Sequence, residues 1–374
     1  MDNDTFYFQH GEYAFSISLD KISTPDLKGK LHKSINHQFA SFLPSKDKKA
    51  LLQFHFCENA RHFFPYKEYL NIGGVKYANE ALMYERDGLS FVYLKKMNLH
   101  IVYFAISARS SLRSNCRFLN KGFKDAVETL VSIFYYRIFL TFTHLVNTEF
   151  NTMYIHGATV SDEDGNAILF PADSGVGKSS MLFRMAEDGK YAYVADDLSI
   201  VSGNGYSYYA GRAISTKPYH LKNFPFLNEL VEKEMPALQK FQWRLLKDNR
   251  LVFGIDPQKL FKGKIKAKAK IKTIVHLVNT SEKDFTLKEC DTETLAFASA
   301  NILMNELILG NQIFYKALSI PNNRLFESPG DIFQKTLSIY KNFFDGADKY
   351  ILKVPYMSHP DKMYGFLVKS NILN

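Results

Sequence analysis

AILFPADSGVGKSSMLFRMAEDG occupies residues 167–189, and its parts read in order as strand, loop and helix. AILF is a short apolar run, and the stretch after Lys178 keeps a helical pattern up to Gly189, a residue suited to end a helix. Between them lies most of a P-loop pattern, which asks for Gly, four residues, Gly, Lys and Ser or Thr. Gly177, Lys178 and Ser179 fill its end, and Ala172 stands where the first glycine belongs. Alanine adds one methyl and is excluded mainly from positive φ, so the loop survives if Ala172 has a negative φ. Ser174, Gly175, Val176, Gly177, Lys178, Ser179 and Ser180 are then the candidate nucleotide contacts. Main-chain N–H groups and the positive end of the helix hold phosphate in such a loop. Lys178 would reach the β and γ phosphates as a point charge, and the Ser179 hydroxyl would ligate Mg²⁺. The plainer alternative is a glycine-rich turn that only links strand to helix.

Downstream, YAYVADDLSIV ends the apolar run of a buried strand on two adjacent carboxylates, Asp196 and Asp197. A right-handed β-α-β crossover makes both strands parallel and brings the loop and the Asp pair to the same sheet edge, where ligands bind. Neighbours on an extended chain face opposite ways, so one carboxylate is expected towards metal and the other towards an acceptor hydroxyl. Alone, such a pair is also common in a strand-ending turn. Upstream, MYIHGATV and NAILFPA flank the turn-rich SDEDG and read as an antiparallel hairpin. Centring the turn between Glu163 and Asp164 sets His156 opposite Pro171, within about two positions. His156 would then flank the loop, either for charge stabilisation and proton handling or as a structural strand histidine.

The chain has 374 residues, 46% hydrophobic and 23% charged, so it folds, and its length fits roughly two domains. A net charge of +9 favours anionic partners without choosing among them. Cys57, Cys116 and Cys290 are odd in number and lack metal-ligand spacing, which predicts reduced thiols in a cytoplasmic protein. MDNDTFYFQHGEYAF has no basic region followed by an apolar run, so no secretory signal is expected. ETLVSIFYYRIFLTFTHLV, residues 128–146, is long and apolar but carries Arg137 at its middle, which predicts a buried helix and not a membrane span. Before it, YAFSISL, LLQFHF and FVYLKKMNLHIVYFAIS read as strands. The expected division is a β-rich domain over 1–121, of no assigned role, and an α/β P-loop domain over 122–374.

IHGATV, AILFPADSGVGKSSMLFRMAEDG and YVADDLSIV together resemble the C-terminal kinase core of the HPr kinase/phosphorylase family, a relative of the phosphoenolpyruvate carboxykinases. The likeness is specific over residues 153–201 and looser to about 370, through TIVHLV, KDFTLKECDTETLAFASANIL and YILKVPY. It implies ATP as donor, Lys178 and Ser179 as the P-loop lysine and Mg²⁺ ligand, and His156 as the family's histidine. It further implies Asp196 as the base towards a serine hydroxyl and Asp197 as its neighbour on the metal side. In place of the family's downstream acidic ligand and Arg-rich segment the chain reads YAGRAISTKPYHLKN, where Arg212 and Lys217 are candidate phosphate or acceptor contacts.

KGKIKAKAKIK has lysine at every even position over 262–272, which on a strand gives one face six cations. Such a ribbon docks an acidic peptide, steers nucleotide, or guards a sheet edge. No aromatic residue is interleaved in it, so nucleic acid is not an expected partner. The expectation is therefore an HPr kinase-like, Mg²⁺-dependent ATP phosphotransferase acting on a serine of a protein or peptide, or on a small alcohol. Its alternative is a nucleotide-binding regulatory module without transfer, and a homo-oligomer is left open.

Overall fold

A computed structural model describes residues 4–86, 88–106, 112–246, 251–307, 316–320, 325 and 327–373. It is a mixed α/β protein with two large sheets, and its contacts divide it into two compact units. The first comprises residues 1–117, 124–150 and 306–335, and the second 118–123, 151–305 and 336–374. The division departs from the expected boundary at 121/122. The apolar helix after the boundary packs with the first sheet, and a later segment returns to the same unit.

Eight strands form the first sheet: β1 (Thr5–His10), β2 (Tyr13–Lys21), β3 (Leu52–Cys57), β4 (Leu70–Ile72), β5 (Val75–Ala78), β6 (Ala81–Arg86), β7 (Leu89–Lys96) and β8 (Leu99–Ala105). Their order is β1-β2-β3-β8-β7-β6-β5-β4, with β2–β3 and β3–β8 parallel and the other pairs antiparallel. Alternation sends Phe15, Ile17 and Phe54 into the core, while Ser16, Ser18 and Gln53 take the other face. Against the core face lies the helix Ala126–Phe150, started by a capping box of Asp125 and Glu128. Its Phe139 ring sits 4.9 Å from Phe15 and 5.3 Å from Phe39, and its Phe134 ring 4.8 Å from Phe56. Each buried phenylalanine contributes about 1.5–3 kcal/mol. By length and composition this helix is apolar enough to cross a membrane, yet 67% of its most apolar window is buried and Arg137 lies on the exposed side.

In the second unit β9 (Thr152–Ser161) is central. One edge takes β10 (Asn166–Pro171), and the other takes β11 (Ala192–Ala195) and then β12 (Leu198–Ser202), all antiparallel to it. β10 and β11 therefore run parallel, as the crossover reading requires. Beyond β12 come β13 (Tyr206–Tyr208) and β16 (Lys268–Thr280), and β16 also pairs in parallel with β10, which closes a ring of five strands. A separate two-stranded ribbon joins β14 (Ile214–Thr216) and β15 (Phe253–Ile255). β17 (Thr286–Glu289) and β18 (Asp348–Pro355) extend the large sheet outward from β16. Buried hydroxyls knit the strands: Thr159 Oγ1 and Ser199 Oγ lie 2.9 Å apart, and Ser199 donates to the Gly157 carbonyl at 2.9 Å.

The lysine ribbon is only half a strand. Lys262 sits in a turn at φ 51°, and β16 starts at Lys268. Lys268, Lys270 and Lys272 are exposed between buried Ala269 and Ile271, giving three aligned cations where six were expected. Two of them lie over tyrosine, with Lys268 Nζ 4.1 Å and Lys270 Nζ 5.0 Å from the Tyr206 ring.

Candidate nucleotide site at the end of the ring

The hairpin registers Pro171 against Gly157, one position from the expected pairing, and the Ala172 N–H donates to the His156 carbonyl at 3.1 Å. Ala172 also bridges Leu277 of β16 in parallel, so the first glycine position of the P-loop pattern is still strand here. It is absent from the residues at positive φ and fully buried, which is why alanine serves. The chain turns over the next five residues: Gly175 and Gly177 take φ 85° and 109°, values that strain any side chain. Asp173, Ser174 and Gly175 are exposed, and Val176 anchors the loop from inside.

From Lys178 the helix Lys178–Asp188 begins, and it ends at Gly189 with φ 74°, its N–H on the Met185 carbonyl. The first-turn N–H groups of a helix have no partner within it, so Lys178, Ser179 and Ser180 present donors at the loop. The helix Pro360–Lys369 packs along this one. The Tyr364 hydroxyl donates to Asp188 at 2.6 Å, and Arg184 reaches Asp361 at 3.3 Å. The Lys178 side chain is buried and folds back over the loop, donating to the carbonyls of Ala172 at 2.9 Å and Asp173 at 2.8 Å.

Asp196 and Asp197 form the kink between β11 and β12, both of which follow the same edge of β9. Asp197 takes φ 66°, a left-handed conformation that aspartate tolerates better than most residues. Its own carbonyl accepts from the Gly157 N–H at 3.0 Å. The kink breaks the alternation on which opposite-facing carboxylates were expected. Asp196 is 2% exposed, and its Oδ2 accepts from the Ser179 hydroxyl at 3.3 Å. Its Oδ1 is buried without a hydrogen-bond partner among the described residues. Burial, and then the negative Asp197 beside it, push its pKa up to about 6 against the pull of Arg212 and Lys178.

Asp197 has the opposite environment. One oxygen pairs with His156 Nε2 at 3.1 Å and the other is ion-paired to Arg212. Burial alone would raise its pKa, but the Arg212 guanidinium, then His156 and Lys178, hold it well below the usual carboxylate range. Both oxygens of Asp197, expected on the metal side, are thus paired within the protein, and the carboxylate facing the P-loop serine is Asp196.

The structure thus gathers Lys178, Ser179, Asp196, Asp197, His156 and Arg212, with Gly175 and Gly177 shaping the loop. Lys217 is not among them. It caps the short helix Pro218–Asn223, its N–H donates to His220 Nδ1 at 3.0 Å, and among the described residues no hydrogen bond or ion pair joins it to the loop or the Asp pair. His276 was missed from sequence. It lies on β16 one residue before Leu277, it is 6% exposed, and its Nδ1 has no hydrogen-bond partner among the described residues. Burial, and then the charge of Lys178, bring its pKa down to about 4, so it is neutral at pH 7. The one available signal was a histidine inside the apolar run TIVHLV.

These residues fit a nucleotide with Mg²⁺. A Cβ on Gly175 would meet nothing within 4 Å, so the loop opens outward, and the Ser179 hydroxyl with the unsatisfied Asp196 carboxylate supplies hard oxygen donors.

No family model and no curated protein matches the chain. Among solved structures it is similar to the Hpr(Ser) kinase/phosphatase from Coxiella burnetii, 12% identical, over 59% of this chain and 97% of that one, with a TM-score of 0.25. A likeness of that size carries no functional argument, and the side-chain geometry has to carry it.

Proposed function

We propose that the second unit is a Mg²⁺-dependent ATP phosphotransferase that moves the γ-phosphate to a hydroxyl, that of a protein or peptide serine or of a small alcohol. The single observation that carries the reading is Asp196: a buried carboxylate beside the P-loop serine, with a free oxygen and a pKa of about 6. A general base works best when its pKa lies near the working pH. Asp196 accepts the proton of the acceptor hydroxyl. Lys178 leaves the carbonyls of Ala172 and Asp173 to meet the phosphates, and the loop amides take up developing charge. Mg²⁺, when bound at Ser179, supplies further charge neutralisation. His156 and Arg212 fix the kink and keep Asp197 ionised; the negative Asp197 lifts the pKa of Asp196, and the direct pull of Arg212 on Asp196 works against that rise.

One observation favours a second reading. With each Asp197 oxygen already paired, Asp196 holds the one oxygen of the pair without a hydrogen-bond partner among the described residues, and two tasks compete for it. If Asp196 serves the cation, no base remains, and the unit binds nucleotide without transferring phosphate. Mg²⁺-dependent transfer of labelled γ-phosphate, for wild type and Asp196→Asn, against serine peptides and small alcohols, separates the two. Transfer by wild type alone, with Mg²⁺-dependent nucleotide affinity retained in Asp196→Asn, is the expected result. No transfer to any acceptor, with Mg²⁺-dependent affinity weakened in the variant, supports the binding module instead.

A further inference from the structure

On the outer face of the first sheet two cross-strand rows meet. Tyr7, Ser16 and Gln53 lie side by side on β1, β2 and β3, and next to them Thr5, Ser18 and His55. They line a cavity of about 190 Å³ whose wall includes Asp4 and Asp20. A merely solvated sheet face would leave its serines accessible, but Ser16 is 5% exposed and Ser18 4%, at the floor of the concavity. Several polar atoms on that floor are uncommitted. The Tyr7 and Ser16 hydroxyls make no hydrogen bond among the described residues, and Gln53 uses only its Nε2, on the Ala50 carbonyl at 3.3 Å. His55 is fixed from two sides, with Nδ1 3.0 Å from Asp20 and its ring 5.1 Å from Tyr103, which leaves Nε2 as its remaining polar atom.

The charges, by contrast, are spent. Asp4 pairs with Lys28 at 2.5 Å, and Asp20 with Lys21 at 2.9 Å as well as His55. A charged ligand finds no unpaired counter-ion on this wall. The volume is below the roughly 300–1,000 Å³ of sites for drug-sized molecules. We propose that this cavity binds a small neutral polyhydroxylated molecule, of monosaccharide or cyclic-polyol size, through hydroxyl, amide and imidazole groups of β1, β2 and β3. Alternating donors and acceptors on a ring of hydroxyls match such a lattice, and neutrality avoids displacing the ion pairs. The proposal stands apart from the phosphotransferase reading, because every residue in it belongs to the first unit.

The test is ligand-observed NMR and calorimetry on the full chain with D-glucose, D-mannose, myo-inositol and, as the charged control, glucose 6-phosphate. Saturable binding of at least one neutral probe is expected, weakened at least tenfold by Gln53→Leu and by Tyr7→Phe, with unchanged melting temperature and unchanged nucleotide binding. Ser16→Ala, which removes one hydroxyl and adds no bulk, should weaken it as well and guards against a folding artefact. Absence of saturable binding overturns the proposal. So does binding that survives all three variants, or a clear preference for the phosphorylated sugar.

Discussion

The chemistry of the second unit depends on two adjacent aspartates in unlike surroundings. Asp196 is held close to pH 6 and Asp197 far below the ordinary range, and Arg212 acts on both in the same direction. An acid whose folded pKa is raised adds stability below its unfolded value and loses it as pH rises to the folded value. For Asp196 that window runs from 3.8 to about 6. Asp196→Asn should accordingly be more stable than wild type at pH 8 by on the order of 2–3 kcal/mol, the gap closing towards pH 4. Urea titrations at several pH values read this directly, and a pH-independent difference would remove the shifted pKa. Arg212→Gln takes away a charge that lowers both carboxylates, so the acid limb of kcat/KM should move to higher pH. An unmoved limb would mean that the base is a different group.

Among the elements, the β9–β10 hairpin carries the most. It brings His156, Gly157 and Ala172 to one level, and Gly157 has no room for a side chain. A Cβ there would stand 3.0 Å from the Phe170 carbonyl oxygen and 3.1 Å from Pro171 Cα. Gly157→Ala should cost about 1–3 kcal/mol in thermal or urea unfolding, because the obstruction is backbone and cannot swing aside. Much of this level was readable in the sequence. Turn residues flanking apolar runs gave the hairpin to within one position, and Gly177-Lys178-Ser179 gave the loop and the start of its helix. Three things were not readable. The positive φ of Asp197 has no marker in the sequence, so period-two alternation was applied across a kink that breaks it. His276 arrives from about a hundred residues downstream through strand pairing, and pairing partners are not local information. The lysine run obeyed the two-residue period only from Lys268 onward, where β13 and β10 supply ladder partners.

For the molecule as a whole, a net charge of +9 should speed capture of a polyanionic nucleotide at low ionic strength. Stopped-flow association with ATP is expected to slow by about tenfold between low and physiological salt, while dissociation changes little. An association rate indifferent to salt would show that the charge lies elsewhere than around the loop. The contact-based units differ in chain composition from the two domains expected at 1–121 and 122–374, since that boundary was placed where texture changes and not where contacts do.

That interleaved connectivity bears on how the protein is made. The first unit takes in residues 306–335 and the second residues 336–374, so neither has all its parts until those late segments have been synthesised. Among the described residues β17 pairs with β18 alone, and β18 begins at Asp348. A chain stalled after residue 305 would therefore leave β17 without a sheet partner and the β16 edge from Thr273 to Thr280 uncovered, a bare template for association with other nascent chains. Such stalled chains should be cut rapidly by protease and depend on chaperones, and this protein's yield in cells should respond to translation speed over the codons for residues 306–374 more than over those before them.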